Sequence, residues 1–389
     1  MNFETADRAA QRLGVTVRAI QKWAKEGKIP YSHKVGRDWL IPTDAIRPGD
    51  KSSSPQQHLS KAAFPLMRFY TGGSISEYIS KLKSEEERAM ARCEQYYYKA
   101  CLKECTIEAE PFMDSPEPTV RSMSSLYCMF SNLSRGHLVK SKYASGIMAE
   151  NLSESLKEGS NKSVAALTVL SSLAAKLQLH LPLEDVPRIR EYIKYLSDGL
   201  LLFGCYLMAY DEYLEKNYSK ALGFAEMALN LQTESYVIPE IYLHLVSAMA
   251  HINLMEKEKA KKSMEKAWKL ACDEELIMPF VEHYNLLGGL IENVLKKDYF
   301  QYYEKIMHFS KQYNSSWYEV YNERSDRLVA TTLTNAEFTI AMLYSRSWRI
   351  KEIAEHMHLS ERTVTNYISY IYDKLQINSK KALEKFMLR

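Results

Sequence analysis

The chain has 389 residues and a mass of 45.0 kDa, a length typical of two to four domains of about 100–200 residues each. Hydrophobic residues make up 46% and charged residues 25%, so a large core is possible and wholesale disorder is excluded. With only 14 glycines and 12 prolines, a loop-rich all-β fold is disfavoured and a mainly α fold is expected.

The formal net charge of +3 hides an uneven distribution. Residues 1–50 and residues 333–389 each hold nine basic and six acidic side chains, and the residues between them carry a slight excess of acidic ones. This distribution predicts two small anion-binding modules on a nearly neutral body.

The sequence shows neither a targeting segment nor a membrane span. Glu4 and Asp7 follow Met1 where a signal peptide would carry basic and then apolar residues, and the most apolar stretch, residues 199–210, is too short to cross a bilayer. We therefore expect a cytoplasmic protein without a membrane segment.

Six cysteines occur without a CxxC pair. Cys93, Cys101 and Cys105 share one helical stretch, which makes a metal site conceivable, but no histidine lies nearby in sequence. We expect reduced thiols, with no metal and no cofactor.

Composition divides the chain into a head (residues 1–48), a linker (49–62), a body (63–325) and a tail (330–389). The linker is expected because residues 47–61 contain two prolines, four serines and two glutamines, and few apolar side chains. Helical patterning follows through the body.

The body contains a candidate repeat. Ala221 and Ala228 recur 39 residues later as Ala260 and Ala267, each pair after a long apolar segment, and a third copy would place Tyr299 and Ile306 there. Small residues at a seven-residue step let paired helices approach closely. Residues 200–310 resemble tetratricopeptide repeats of the longer kind, which implies a helical solenoid; an irregular α bundle is the alternative.

The head has the pattern of a helix-turn-helix. Ala9, Ala10 and Leu13 form an apolar stripe, Gly14 suits a turn with positive φ, and Thr16 is a good N-cap. A second apolar stripe follows, with Ile20, Trp23 and Ala24, and Gly27 is expected to end that helix. Residues 34–35 and 39–41 predict two short strands around a tight turn at Gly36, Arg37 and Asp38.

These residues make the head resemble the excisionase/MerR-like winged helix-turn-helix over residues 4–46. The second helix would place its exposed polar face in a major groove, and the strand pair would form a wing beside the phosphates. The expected DNA contacts of the head are Arg18, Gln21, Lys22, Lys25, Lys34 and Arg37.

The tail repeats this pattern in a different setting. Thr334 and Glu337 form a capping box, Ile353 and Ala354 pack a scaffold helix, and Ser360 caps the next helix. An apolar stripe then follows that helix: Val364, Ile368, Ile371 and Leu375. Ser379 is expected to cap a fourth helix.

Together with the Lys351-Glu352-Ile353-Ala354 segment and Lys374-Leu375, these residues make the tail resemble the LuxR/NarL-type four-helix DNA-binding domain. The resemblance implies DNA contacts from Lys351, Ser360, Arg362, Thr363, Thr365, Asn366 and Lys374. It also implies pairing of two copies through the fourth helix, with Ala382, Leu383 and Phe386 on its apolar face.

Several positions depart from that family. Thr365 and Tyr367 stand where Lys and His are common, Ala336 and Lys380 replace an Arg, and Ser347 and His358 replace glycines. The recognition face is therefore less basic than usual, and a single tail should bind DNA weakly because phosphate contacts supply most non-specific binding energy.

A scan for the nucleotide, zinc-protease and serine-hydrolase motifs GxxxxGK[ST], GxGxxG, HExxH and GxSxG finds none. We therefore expect a bacterial transcription regulator and not an enzyme. It would bind double-stranded DNA at both ends, and its middle would sense a small-molecule or protein effector and hold a homodimer. The alternative is an interaction adaptor in which one helix-turn-helix no longer reads DNA; an enzyme with its site hidden in the body is a further one.

Overall fold

The computed structural model describes residues 3–26, 28–29, 32–35, 38–43, 59–178, 186–287, 289–321, 333–357 and 359–387. The chain divides into two compact units, Met1–Gln57 and His58–Arg389. Leu59 and Ala62, at the end of the expected linker, are buried in the second unit.

The first unit is a small three-stranded sheet with two helices. Its elements are β1 (Phe3–Thr5), α1 (Ala6–Leu13), α2 (Val17–Lys25), β2 (His33–Val35) and β3 (Asp38–Pro42). The sheet is antiparallel in the order β1-β3-β2. Both wing strands were predicted, whereas β1 was not. Of the predicted wing turn, Asp38 is instead the first residue of β3, where it pairs with Val35, and Gly36 and Arg37 lie outside the described residues.

The turn between α1 and α2 has the predicted chemistry. Gly14 has φ of 60°, a left-handed conformation that glycine adopts without steric cost, and the Thr16 hydroxyl accepts the Ala19 N–H at 3.3 Å. Ala9 and Ile20 are fully buried between the helices. Helix α2 ends at Lys25; Gly27, which was expected to end it, lies outside the described residues.

The second unit is helical throughout its described part. Its α-helices are α3 (Pro65–Phe69), α4 (Ile75–Ser80), α5 (Glu85–Tyr98), α6 (Leu102–Ala109), α7 (Pro118–Ser134), α8 (Leu138–Ser155), α9 (Lys162–Gln178), α10 (Ile189–Tyr192), α11 (Asp198–Leu214), α12 (Tyr218–Leu231), α13 (Val237–Asn253), α14 (Lys257–Ala271), α15 (Met278–His283), α16 (Leu290–Leu295), α17 (Phe300–Tyr321), α18 (Asn335–Ser345), α19 (Ile350–Met357), α20 (Glu361–Leu375) and α21 (Lys380–Met387). Short 3-10 turns follow several of them. Among the described helices, none is long and apolar enough to cross a membrane.

Four helix pairs in the body share one turn. In each, the second residue after the end of the first helix has φ between 58° and 74°, and the N–H of the residue that follows it donates to a carbonyl in the last turn of that helix. This left-handed ending satisfies carbonyls that the helix end would leave without partners. The pairs are α5–α6, α7–α8, α11–α12 and α13–α14, with the turn residues Ala100, Gly136, Lys216 and Met255.

The repeat predicted from the alanines corresponds to two of these hairpins. Both ends of α11 recur 39 residues later as the ends of α13, and Lys216 and Met255 have the same spacing. The four alanines of the pattern, Ala221, Ala228, Ala260 and Ala267, are all at most 4% exposed. The expected third copy is incomplete, since Ile306 is buried but Tyr299 is 40% exposed and lies before α17.

Gly199 marks a close crossing between α11 and α3. A Cβ atom at this position would lie 1.9 Å from the Met67 carbonyl oxygen, which belongs to backbone and cannot move aside. Gly223 in α12 is a natural comparison, because a Cβ there would meet nothing within 4 Å.

We therefore expect Gly199→Ala to destabilise the second unit by about 2–3 kcal/mol, a cost typical of overpacking. Gly223→Ala should leave stability unchanged or raise it by about 0.5–1 kcal/mol through helix propensity. Urea unfolding followed by circular dichroism measures the stability of both variants. Equal unfolding midpoints would contradict the close approach of α11 to α3 at Gly199.

Candidate nucleic-acid interface

The outer face of α2 carries a row of long polar side chains. Arg18, Gln21, Lys22 and Lys25 lie at positions i, i+3, i+4 and i+7 of this helix, and all four are exposed. The opposite face buries Ile20 and Ala24 in the core of the unit, which fixes the direction of the polar row.

Charge on this face is only slightly offset by acidic neighbours. Lys22 lies 3.9 Å from Glu26 and keeps 71% of its side chain exposed, so the ion pair is weak. Lys34, on β2, is also exposed, and it pairs in register with Trp39 of β3. The head therefore presents its predicted contacts, except Arg37, which lies outside the described residues.

The tail is built as the sequence predicts. The Thr334 hydroxyl accepts the Glu337 N–H at 3.3 Å, and the Glu337 carboxylate accepts the Thr334 N–H at 2.7 Å. Ser360 caps α20 by accepting the Thr363 N–H at 3.1 Å. Ser379 likewise accepts the Ala382 N–H at 3.2 Å, at the start of α21. The predicted apolar stripe is buried in full: Val364, Ile368, Ile371 and Leu375.

The exposed face of α20 is polar and almost neutral. Arg362, Thr365 and Asn366 are exposed, as predicted. The Thr365 hydroxyl donates to the Glu361 carbonyl at 2.9 Å, and the Ser369 hydroxyl donates to the Thr365 carbonyl at 3.3 Å. Arg362 and Asn366 are therefore the main donors that this face offers to a ligand.

Lys374 has a structural partner. Its ammonium lies 2.8 Å and 2.7 Å from the two carboxylate oxygens of Glu337, a side chain only 6% exposed. Burial opposes ionisation of Glu337, but the hydrogen bonds from Lys374 and Thr334 outweigh it and hold the pKa below its ordinary value. The ion pair ties α20 to the start of α18.

The remaining tail residues fall into different environments. Lys351 is exposed on α19, and Thr363 is half-buried beside Ser360. In α21, Leu383 is fully buried in the core of its own chain and Ala382 is half-buried, while the Phe386 side chain lies outside the described part. Of the residues expected to pair two copies, Ala382 is thus the one seen at the surface.

Tyr370 was missed by the sequence reasoning. It is 57% exposed and lies one turn after Asn366 on the open side of α20. Its i+4 spacing from Asn366 was the signal that could have found it.

The cysteines of the body do not form a metal site. Cys93 and Cys105 are fully buried with their sulfurs 3.7 Å apart, whereas Cys101 is exposed and turned to a different partner, the Lys99 carbonyl. Burial raises the pKa of the Cys93 thiol well above its ordinary value, so the thiol is a poor nucleophile. In the described residues no cluster of possible metal ligands occurs.

A polar cluster lies among the helices of the body. The Glu282 carboxylate accepts hydrogen bonds from the hydroxyls of Tyr97 and Tyr242, the latter at 2.9 Å. The His283 ring donates to the Pro279 carbonyl at 2.7 Å and accepts from the Tyr206 hydroxyl at 2.8 Å.

Burial controls the ionisation of both acidic and basic members of this cluster. It raises the pKa of Glu282 to about 7 and lowers that of His283 to about 4. The histidine is therefore neutral, and its two ring nitrogens are both used inside the protein. Such an arrangement crosslinks helices through hydrogen bonds and does not offer an activated nucleophile.

Models of known protein families match both ends of the chain. A family model described as a helix-turn-helix domain matches residues 5–47, and one described as bacterial regulatory proteins of the luxR family matches residues 331–387. No curated protein and no solved structure gives a significant match. The protein therefore carries two helix-turn-helix domains of the kind that bind DNA, the C-terminal one of the LuxR type, on either side of a helical middle.

Removing the Lys374 ammonium should weaken the tail, because it would leave the buried Glu337 carboxylate without its cation. We expect Lys374→Met to lower the stability of α20 by about 1–3 kcal/mol, a range reduced for the partial exposure of the lysine. Hydrogen exchange of α20 measures this, with Arg362→Ala as the surface control. The Glu337→Gln/Lys374→Met double variant should recover part of the loss; no recovery would contradict the pairing.

Glu282 should make the stability of the body depend on pH. Between its ordinary pKa and about 7, the folded state holds a proton that the unfolded state releases, so raising the pH through this interval destabilises the fold. Relative to Glu282→Gln, the wild-type chain should lose on the order of 2 kcal/mol between about pH 5 and pH 8. The urea unfolding midpoint, measured across this pH range, tests the prediction. Glu158→Gln, at the surface, should show the same pH dependence as the wild type.

Proposed function

We propose that this protein is a bacterial transcription regulator that binds duplex DNA at both ends. The observation that carries the proposal is the exposed face of α2, the second helix of a helix-turn-helix. Four long side chains that can donate hydrogen bonds project from this face at helical spacing. Such side chains reach base edges and phosphates when the helix lies in a major groove. A regulator of this kind works in the cytoplasm, where bacterial DNA lies.

We further propose that the body is a tetratricopeptide-like helical repeat that senses an effector and holds two copies of the chain together. The recurrence of one turn in four helix hairpins supports the repeat, and stacked hairpins leave a long surface for other chains. Exposed apolar side chains of the body are candidate anchors for another chain: Val139, Tyr143, Tyr299 and Phe300.

The tail has a second candidate function, as a surface that binds a protein. The observation that favours it is the small number of donors on α20, where the hydroxyls of Thr365 and Ser369 are turned to their own helix. Lys374, whose ammonium neutralises Glu337, is left out of the DNA-contact set that we propose for the tail.

Substitutions in the head should separate base reading from phosphate contact. Lys34→Ala should weaken binding to all sequences alike and lower the salt slope by about 1, whereas Arg18→Ala and Gln21→Ala should also change sequence preference. The measurement is a titration of the full chain on duplexes selected from random DNA, at several salt concentrations. Lys140→Ala, on the body, is the matched control. An unchanged slope and preference in the three head variants would reject the head as a DNA reader.

The tail is tested by the same selection. Arg362→Ala and Asn366→Ala should each weaken the preference for one part of the selected site by about 1–3 kcal/mol, while Lys381→Ala should change affinity only slightly. If neither of the first two variants alters the selected sequences, the adaptor function is favoured for the tail. Sedimentation of the full chain tests the dimer: a monomer at high micromolar concentration would contradict it.

A further inference from the structure

One contact between the tail and the body is made by an arginine at the end of α18. The Arg346 guanidinium lies over the ring of Tyr213 at 5.0 Å and donates a hydrogen bond to the tyrosine hydroxyl. That hydroxyl also accepts the Asn253 side-chain amide at 3.3 Å. Tyr213 is 1% exposed at the end of α11, so the cation meets a desolvated aromatic face, where such contacts are strongest.

Other contacts involve the neighbouring tail helices. Lys257, the first residue of α14, lies 3.5 Å from Glu355 on α19. Helix α18 also packs on the 3-10 turn Tyr284–Leu286 of the body. The buried apolar residues of the tail, Met342 and Trp348 among them, are continuous with the core of the body. The body therefore contacts the tail at several positions, which lie on or directly after helices α18 and α19.

The recognition face is not used in these contacts. Arg362 and Asn366 are exposed, and Tyr370 is 57% exposed, in the same structure that docks α18 and α19. Docking therefore does not cover the face of α20; it fixes the direction in which that face points.

Tyr213 is connected to the polar cluster of the body. Its ring stacks on Tyr210 at 6.2 Å with an interplanar angle of 7°, and Tyr210 stacks on Tyr206 at 5.8 Å and 16°. Tyr206 in turn donates to His283. A movement of α11 that shifts this row of rings also shifts the ring on which Arg346 lies.

We propose that the body controls the tail through this docking contact: Arg346 on Tyr213 holds the recognition face in one orientation. The docking itself is independent of the proposed function, whereas its consequence for DNA reading rests on it. When two docked tails bind one site, their spacing is set by the bodies, so docking restricts the half-site spacings that the protein accepts.

Zero-length crosslinking with a carbodiimide tests the docking on the full chain. The reagent joins paired lysine and carboxylate side chains, and mass spectrometry can compare the Lys257–Glu355 crosslink with the Lys140–Glu110 crosslink. The latter pair lies within the body at 3.2 Å with similar exposure and serves as an internal reference. We expect Arg346→Ala to lower the ratio of the two crosslinks at least fivefold.

Two further variants control for a general loss of structure. Tyr213→Phe keeps the ring and removes the hydroxyl, so it should lower the ratio less than Arg346→Ala does. Arg349→Ala removes an exposed cation three residues away and should leave the ratio unchanged. A ratio in Arg346→Ala equal to that of Arg349→Ala, or no Lys257–Glu355 crosslink in the wild type, would overturn the docking.

Binding to paired half-sites of varied spacing tests the consequence. The wild type should prefer one spacing, and Arg346→Ala should bind several spacings within about threefold of one another. Equal spacing preferences in the two proteins would overturn control by the body even if the crosslink is found. If no variant binds DNA while the crosslink ratio falls as expected, the docking stands and the proposed function of the tail fails.

Discussion

The architecture of the second unit depends on the left-handed turn that closes its helix hairpins. One residue with positive φ reverses the chain, and the N–H that follows it caps the helix just completed. In the four pairs of the body the second helix packs against the first. Alanines at the contact, such as Ala221 and Ala260, allow the two backbones to approach closely. A stack of such pairs buries its core only between neighbours, and this leaves extended outer surfaces for other tasks.

The two terminal modules use similar local chemistry for a different purpose. Thr16 and Ser360 cap the second helix of each helix-turn-helix, and the buried stripes behind these caps fix which side faces outward. The result differs in charge: α2 presents two lysines and an arginine on its outer face, whereas α20 presents one arginine and one aspartate, Asp373, among neutral side chains. If DNA is the common ligand, the head supplies more of the electrostatic attraction, and the tail contributes mainly through contacts that depend on its position.

Features set by residues near in sequence could be predicted. The caps at Thr16, Thr334 and Ser360, the stripes of α2 and α20, and the 39-residue step between α11 and α13 all follow from local spacing. Features set by distant residues could not. Strand β1 forms only because Phe3–Thr5 meets the far edge of β3, and three residues carry too little pattern to predict a strand. The pairing of Lys374 with Glu337 was likewise not predicted, because the two residues lie 37 positions apart in the chain.

The same distinction explains why docking of the tail was not visible in the sequence. Arg346 and Tyr213 are 133 residues apart, and nothing in the segment around either one marks it as half of a pair. An arginine at the end of a helix is ordinarily a cap or a surface charge, and a tyrosine in an apolar helix is ordinarily core. Folding brings the two together at the end of a row of stacked rings, so a residue that packs the body also positions the tail. The ring of Tyr213 thus belongs both to the packing of α11 and to the surface on which the tail lies.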